Sequence, residues 1–142
     1  MGRYRIVEDV AIADCAMEIE GRDAADVFET AALALARLMV DEATLPMTVR
    51  RSVALQAEAL DLLLYDFLSE LIFLKDRDRQ VFPRAAVRIA GGGPFRLAAE
   101  LDGGPIDPER TARRADAKAI TLHGFALERA GLGWRARVVI DI

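Results

Sequence analysis

Histidine and cysteine occur once each in this chain of 142 residues, as His123 and Cys15. A single cysteine excludes an internal disulfide and a cysteine-based zinc cluster, and it fits a reducing, cytoplasmic setting. A single histidine means that any Ser-His-Asp or Cys-His device would have to use His123. Excess positive charge is also missing: 19 Lys and Arg stand against 23 Asp and Glu, a formal net charge of −4. Direct, non-specific nucleic-acid binding usually needs a basic balance, so any contact with RNA is expected to be local or indirect. Long apolar runs are lacking as well. The most apolar long stretch, Ala59 to Leu74, is broken by Asp61, Asp66 and Glu70, which makes it a core helix rather than a membrane span. The opening "MGRYRIVEDV" has no apolar segment of signal-peptide length, and Ile6 stands where a myristoylation motif needs Ser or Thr.

What remains is the composition of an ordinary globular protein, with 53% hydrophobic and 30% charged residues. A chain of this size buries roughly 70% of its unfolded surface in one core, so residues 1–142 are expected to form a single domain. From Tyr4 the pattern reads as a strand. "ADCAMEIEG" then alternates, with Ala13, Cys15, Met17 and Ile19 on one face and Asp14, Ala16, Glu18 and Glu20 on the other. Gly21 ends that strand, Asp23 is suited to cap a helix, and Asp26 adds negative charge where the helix dipole favours it. Val27, Phe28, Ala31, Leu35, Leu38 and Met39 recur at helical spacing and predict one buried stripe.

"TVRRSVALQAE" returns to strand residues, and a second helix follows with Leu60, Leu63, Leu64, Phe67, Leu68, Leu71 and Leu74 on a wide apolar face. Two strands joined by Gly91-Gly92-Gly93-Pro94 come next. No helix follows those glycines, which argues against a phosphate loop. "AKAITLHGFALER" and "GWRARVVIDI" supply the last two strands. Seven strands and two main helices, in an order with few crossovers, predict an α+β domain with a mostly antiparallel sheet or sandwich.

By alternation Ala136, Val138, Ile140 and Ile142 share one face of the last strand, and Arg135, Arg137, Val139 and Asp141 the other. Ile142 is thus expected to be tied into the core beside Asp141. Cys15 falls on an apolar face, as a buried thiol rather than a nucleophile. His123 reads as a structural or partner-contact residue. Arg110, Arg113, Arg114 and Lys118 form a basic cluster able to contact a phosphate or a partner surface, while Glu70 and Trp134 carry no evident chemistry.

"YRIVEDVAIAD", "GRDAADVFETAALALARLMVDE", "LLLYDFLSELIFLKD", "AKAITLHGF" and "WRARVVIDI" together resemble the successive blocks of the archease family over essentially the whole chain. That resemblance implies a non-enzymatic accessory protein of the RNA ligase that joins 3′-phosphate or 2′,3′-cyclic-phosphate ends to 5′-hydroxyls in tRNA splicing and RNA repair. Such a protein promotes the ligase's guanylylation and repeated turnover. The resemblance further implies a divalent-cation site made by Asp14, Asp141 and the chain end at Ile142. It assigns ligase activation to Asp14, Lys118 and Asp141, and His123, Arg113 and Arg114 are possible partner contacts.

The chain departs from the family pattern at Ala11-Ile12-Ala13-Asp14, where His-Thr-Ala-Asp is usual, and at Thr111, where a histidine is often found. Physics sets a separate condition on the acids. Three carboxylates about 5 Å apart repel by roughly 3 kcal/mol per pair at an effective dielectric near 20. They must therefore lie apart, share protons, or be neutralised by a cation or by Lys118. Oxygen ligands of this kind suit Ca²⁺ or Mg²⁺. Two other readings stay open: a small metal-dependent hydrolase, and a relative of the same fold with a different partner.

Overall fold

The structure is a computed structural model that describes residues 2–11 and 14–142, with the side chains of residues 8–11 excepted. Ile12 and Ala13, which figure in the expected alternation and motif, lie outside the described residues. The described chain runs β1 (Arg3–Ala11), β2 (Asp14–Gly21), α1 (Ala24–Met39), a short 3₁₀ turn (Glu42–Thr44), β3 (Val49–Ala57), α2 (Leu60–Asp78), β4 (Gln80–Gly91), β5 (Phe95–Pro105), β6 (Ala119–Ala130) and β7 (Gly133–Asp141). This is the expected order. The strands form two antiparallel sheets, β1-β2-β7-β6 and β3-β5-β4. One hydrophobic cluster joins both sheets and both helices, and Ile142 packs against it as expected.

Helix α1 starts at Asp23, whose side chain accepts the Asp26 N–H at 2.8 Å, and the Asp26 carboxylate reaches back to the Arg22 N–H at 2.9 Å. This reciprocal cap satisfies backbone donors that a helix start otherwise leaves open. The apolar stripe predicted for α1 is too narrow. Ala32, Ala34 and Ala36 are buried along with Val27, Phe28, Ala31, Leu35 and Met39, because α1 contacts strands of both sheets. Small alanines let backbone approach on the additional sides. Glu29 accepts the Val87 N–H at 2.8 Å, so the helix also occupies a donor on the edge strand β4.

Helix α2 buries Leu63, Leu64, Phe67, Leu68, Leu71, Ile72 and Leu74, and Phe67 stacks on Phe28 with ring centroids 5.9 Å apart. Strand β4 carries Pro83 at a register shift between Val81 and Arg84, where the ladder is interrupted and a missing N–H costs least. Across from it a Cβ on Gly103 would fall 2.0 Å from the Val81 carbonyl oxygen, so only glycine allows that approach.

Two details of the expected alternation are corrected. Ala16 and Val139, placed on polar faces, are both buried. They are directly opposite each other, with Val7 flanking Ala16 and Thr121 flanking Val139, and the four form an outer row of small and branched side chains that shield one another. Cys15 is buried, as expected. Among the described residues no helix is long and apolar enough to cross a membrane.

Phe67 is the stacked centre between the helices, so Phe67→Ala should cost about 3–5 kcal/mol. Urea denaturation of the variant, read by circular dichroism, checks this figure; a loss below about 1 kcal/mol would mean that the α1–α2 contact does not hold the core together.

Candidate functional site

The last strand, β7, lies inside its sheet, between β2 and β6. Its register sets Asp141 directly opposite Asp14 on one side and opposite Ala119 on the other. The Lys118 N–H donates to the Asp141 carbonyl at 2.8 Å. The structure thus brings three separate segments of sequence together, Asp14 on β2, Asp141 on β7 and Lys118 immediately before β6.

Asp14 and Asp141 share the outer face of the sheet and are half-buried. Directly opposed residues in an antiparallel pair have Cβ atoms about 4.5–5.5 Å apart, where like charges are destabilising. Among the described residues neither carboxylate forms an ion pair, and Lys118 is exposed without pairing to either one. Nor do three His, Cys, Asp or Glu side chains gather as a metal-binding group among the described residues. The two aspartates are therefore an open donor pair, not a closed cage. Oxygen donors of this kind suit a hard cation better than zinc.

The opposite end of the same face is arranged differently. Arg5 and Arg137 both reach Glu18, the latter at 3.4 Å; Arg3 pairs with Glu20, and Arg135 pairs with Glu128 at 2.8 Å. The hydrogen bond from Arg5 holds the Glu18 carboxyl below its usual range. Every acid in this ladder has a guanidinium. The Asp14–Asp141 end has none, so the unpaired acids are a local feature of one end of the sheet.

His123 falls in β6 where the register shifts between Thr121 and Ala126, and three more residues are accommodated on β6 than on β7. Gly124 takes φ of 75° there, which favours glycine. The Thr121 hydroxyl accepts the His123 N–H at 2.9 Å, and both Leu122 and His123 are exposed. The "LHG" segment is thus a bulge that turns its side chains outward at the edge of the sheet.

The basic cluster is split by the fold. The Arg114 guanidinium donates to the Arg37 carbonyl at 2.9 Å, and the Arg114 and Ala115 N–H groups take the carbonyls of Met39 and Leu38. These contacts cap the end of α1, whose last carbonyls would otherwise lack partners. Arg110, Arg113 and Arg114 are all exposed, but of the three only the Arg114 guanidinium is engaged by the helix end. Thr111 is buried and ties the segment down: its hydroxyl accepts the Asp107 N–H at 2.9 Å and donates to the Thr44 carbonyl at 3.3 Å.

Lys75 is a residue that sequence reasoning missed. It lies on the apolar stripe of α2, four residues after Leu71, and is buried. Its Nζ pairs with Asp116 at 2.5 Å and Asp76 at 2.7 Å and donates to the Ala117 carbonyl at 2.8 Å. It thereby anchors the segment that delivers Lys118 to the site. A lysine in an apolar stripe was the available signal. Burial acts to lower the Lys75 pKa, but its hydrogen bonds to the two aspartates outweigh it and hold the ammonium above its ordinary value. The same hydrogen bond holds Asp116 below the usual carboxylate range.

Residues 4–142 match the Archease protein family. The chain is 31% identical over 140 residues to the protein archease of Archaeoglobus fulgidus, covering 99% of each. Its fold is similar to the solution structure of Methanobacterium thermoautotrophicum protein 1598, with a TM-score of 0.80, 27% identity and 98% of each chain covered. It is also similar to the crystal structure of an archease, a possible chaperone, from Thermotoga maritima, with a TM-score of 0.64, 21% identity and 93% of each covered.

Because Asp116 has a lower pKa folded than unfolded, its contribution is present above the ordinary carboxylate pKa and is lost as pH falls through the lower folded value. Asp116→Asn should reduce stability near neutrality by about 1 kcal/mol or less, since the Asp116 side chain is 70% exposed and Asp76 still holds Lys75. Wild type and variant should converge in acid. Thermal melts across a pH series check this; a difference that persists below the folded pKa contradicts it.

Proposed function

The chain belongs to the archease family, and on that premise we propose that it is a non-enzymatic accessory protein of an RNA ligase joining 3′-phosphate and 5′-hydroxyl ends. In this reading it acts in the cytoplasm in tRNA splicing or RNA repair, promoting guanylylation of the ligase and its repeated turnover. The observation that supports this reading best is the facing pair Asp14–Asp141, half-buried on one sheet face without a protein cation among the described residues. Asp14 and Asp141 would hold Ca²⁺ or Mg²⁺, with the Ile142 main-chain carboxylate as a third oxygen donor and water completing the shell. A cation there removes the repulsion that the strand register imposes. Lys118 beside the pair, and His123 and Arg113 on exposed segments, offer contacts to the ligase. Arg114 is left out of that set because the end of α1 occupies it. The Thermotoga maritima archease is described as a possible chaperone, an accessory role of a related kind.

A metal-dependent hydrolase would need a base or a further ligand beside the cation. Among the described residues no histidine and no third Asp or Glu side chain gathers with the aspartate pair to act as that base, so the accessory reading is favoured.

Titration calorimetry with Ca²⁺ and with Mg²⁺ should show binding to the wild type that falls at least tenfold in Asp14→Asn and in Asp141→Asn. Both variants should melt at or above the wild-type temperature without cation, because one of two opposed charges is gone. Wild type that binds neither ion at millimolar concentration removes the cation site from the proposal. The accessory role is measured separately: adding the protein to a 3′-phosphate RNA ligase should raise guanylylation and the number of turnovers. Unchanged turnover leaves a fold relative with another partner.

A further inference from the structure

The outer face of the three-stranded sheet carries a second charge pattern, unlike that of the first. Alternation places Arg50, Ser52, Ala54 and Gln56 of β3, Arg96, Ala98, Glu100 and Asp102 of β5, and Arg84, Ala86, Arg88 and Ala90 of β4 on that face. Four arginines oppose two acids on a chain whose net charge is −4. The two acids are already engaged, Asp102 by Arg50 at 2.9 Å and Glu100 by the Ser52 hydroxyl at 2.8 Å. Arg84, Arg88 and Arg96 are exposed, and among the described residues none of the three forms an ion pair.

Their arrangement follows from the register. Arg88 stands opposite Ala98 and Arg96 opposite Ala90, so the two guanidiniums lie on a diagonal, about 7–8 Å apart at the backbone. Arg84 precedes Arg88 by four residues, or about 13 Å along the strand. The rows containing Arg88 and Arg96 hold no acid at all. Beside them is a depression of about 460 Å³ lined by Ala54, Ala90 and Ala98 together with Leu55, Gln56 and Leu97. Arg84 faces Asp102, which Arg50 already engages, and Arg88 and Arg96 face no acid, so this end of the sheet has an excess of cations that suits an outside anion.

We propose that this sheet face binds the sugar–phosphate backbone of RNA through Arg84, Arg88 and Arg96. That the polymer is RNA rests on the accessory reading above; that it is a phosphate backbone rests on the face itself. The guanidinium fork matches phosphate oxygens with two parallel hydrogen bonds, and repeated phosphates suit cations spaced along a strand. A protein partner would instead call for a central aromatic or large aliphatic anchor. The outward positions here offer nothing apolar larger than alanine. The absence of aromatic rings also removes base stacking, so binding is independent of sequence and driven by release of counterions. The face is distinct from the Asp14–Asp141 site, which lies on the other sheet.

The test uses the purified full chain without ligase, so its failure is separable from failure of the accessory role. Fluorescence anisotropy with labelled oligouridylate and oligoadenylate about 20 nucleotides long should give equal affinities. Three phosphate contacts to a single strand predict a salt slope near −2, an approximately 20-fold loss between about 50 and 200 mM salt. Arg84→Gln/Arg88→Gln/Arg96→Gln should bind at least tenfold more weakly and lose most of that slope, with its melt unchanged. A control of equal charge, Arg3→Gln/Arg129→Gln/Arg135→Gln, should keep wild-type binding, because those side chains are engaged by Glu20, the Trp134 ring and Glu128. Absence of salt-dependent binding in the wild type overturns the proposal, as does equal loss in the two triple variants. Polyglutamate or phosphatidylserine vesicles that displace the RNA at matched charge would also overturn it, by assigning the face to an acidic protein or a membrane.

Discussion

The placement of β7 between β2 and β6 is the constraint on which the rest of this fold depends. The last strand of the chain fills the interior of a sheet whose other strands come from both ends of the sequence. Its inward residues Ala136, Val138 and Ile140 are all buried, which locks the register, because a slip of one position would turn every one of them to solvent. The same lock decides the chemistry of the outer face. Asp141 can face only Asp14 and Ala119 while Ile140 stays inside, so the repulsion between the aspartates is the consequence of a packing requirement.

The segment between β5 and β6 serves that register from the other side. It has no regular structure, yet its backbone caps the C-terminal end of α1 and its Asp116 meets the buried Lys75. A long irregular connection ordinarily leaves polar backbone groups in water; here the end of a helix and a lysine inside the core take them up. Lys118 arrives beside Asp141 because the preceding residues have few alternatives.

A net charge of −4 conceals three different surfaces. One end of the four-stranded sheet is a ladder of paired arginines and glutamates, the other an unpaired aspartate pair, and the outer face of the three-stranded sheet carries more arginines than acids. Alternation along single strands predicts that these side chains point outward. It does not tell which charges will be neighbours across the β2–β7 seam, since Glu18 and Arg137, like Asp14 and Asp141, are more than a hundred positions apart.

Element identity was legible in the sequence: the order of strands and helices, the Asp23 cap, the glycine turn, the burial of Cys15 and the resemblance carried by "KAITLHG" and "VVIDI" all stand in the structure. The all-round burial of α1, the shielding of Ala16 and Val139, the commitment of Arg114 to a helix end and the anchoring by Lys75 were not. Periodicity states which side of an element is apolar, because side-chain direction repeats with local backbone geometry. How many sides are covered, and by what, depends on neighbours supplied by distant segments. Thus the sequence by itself determined the elements and their apolar faces, whereas only the tertiary structure decided that Asp14 meets Asp141, since the register of β2 against β7 is settled by packing between segments remote in the chain.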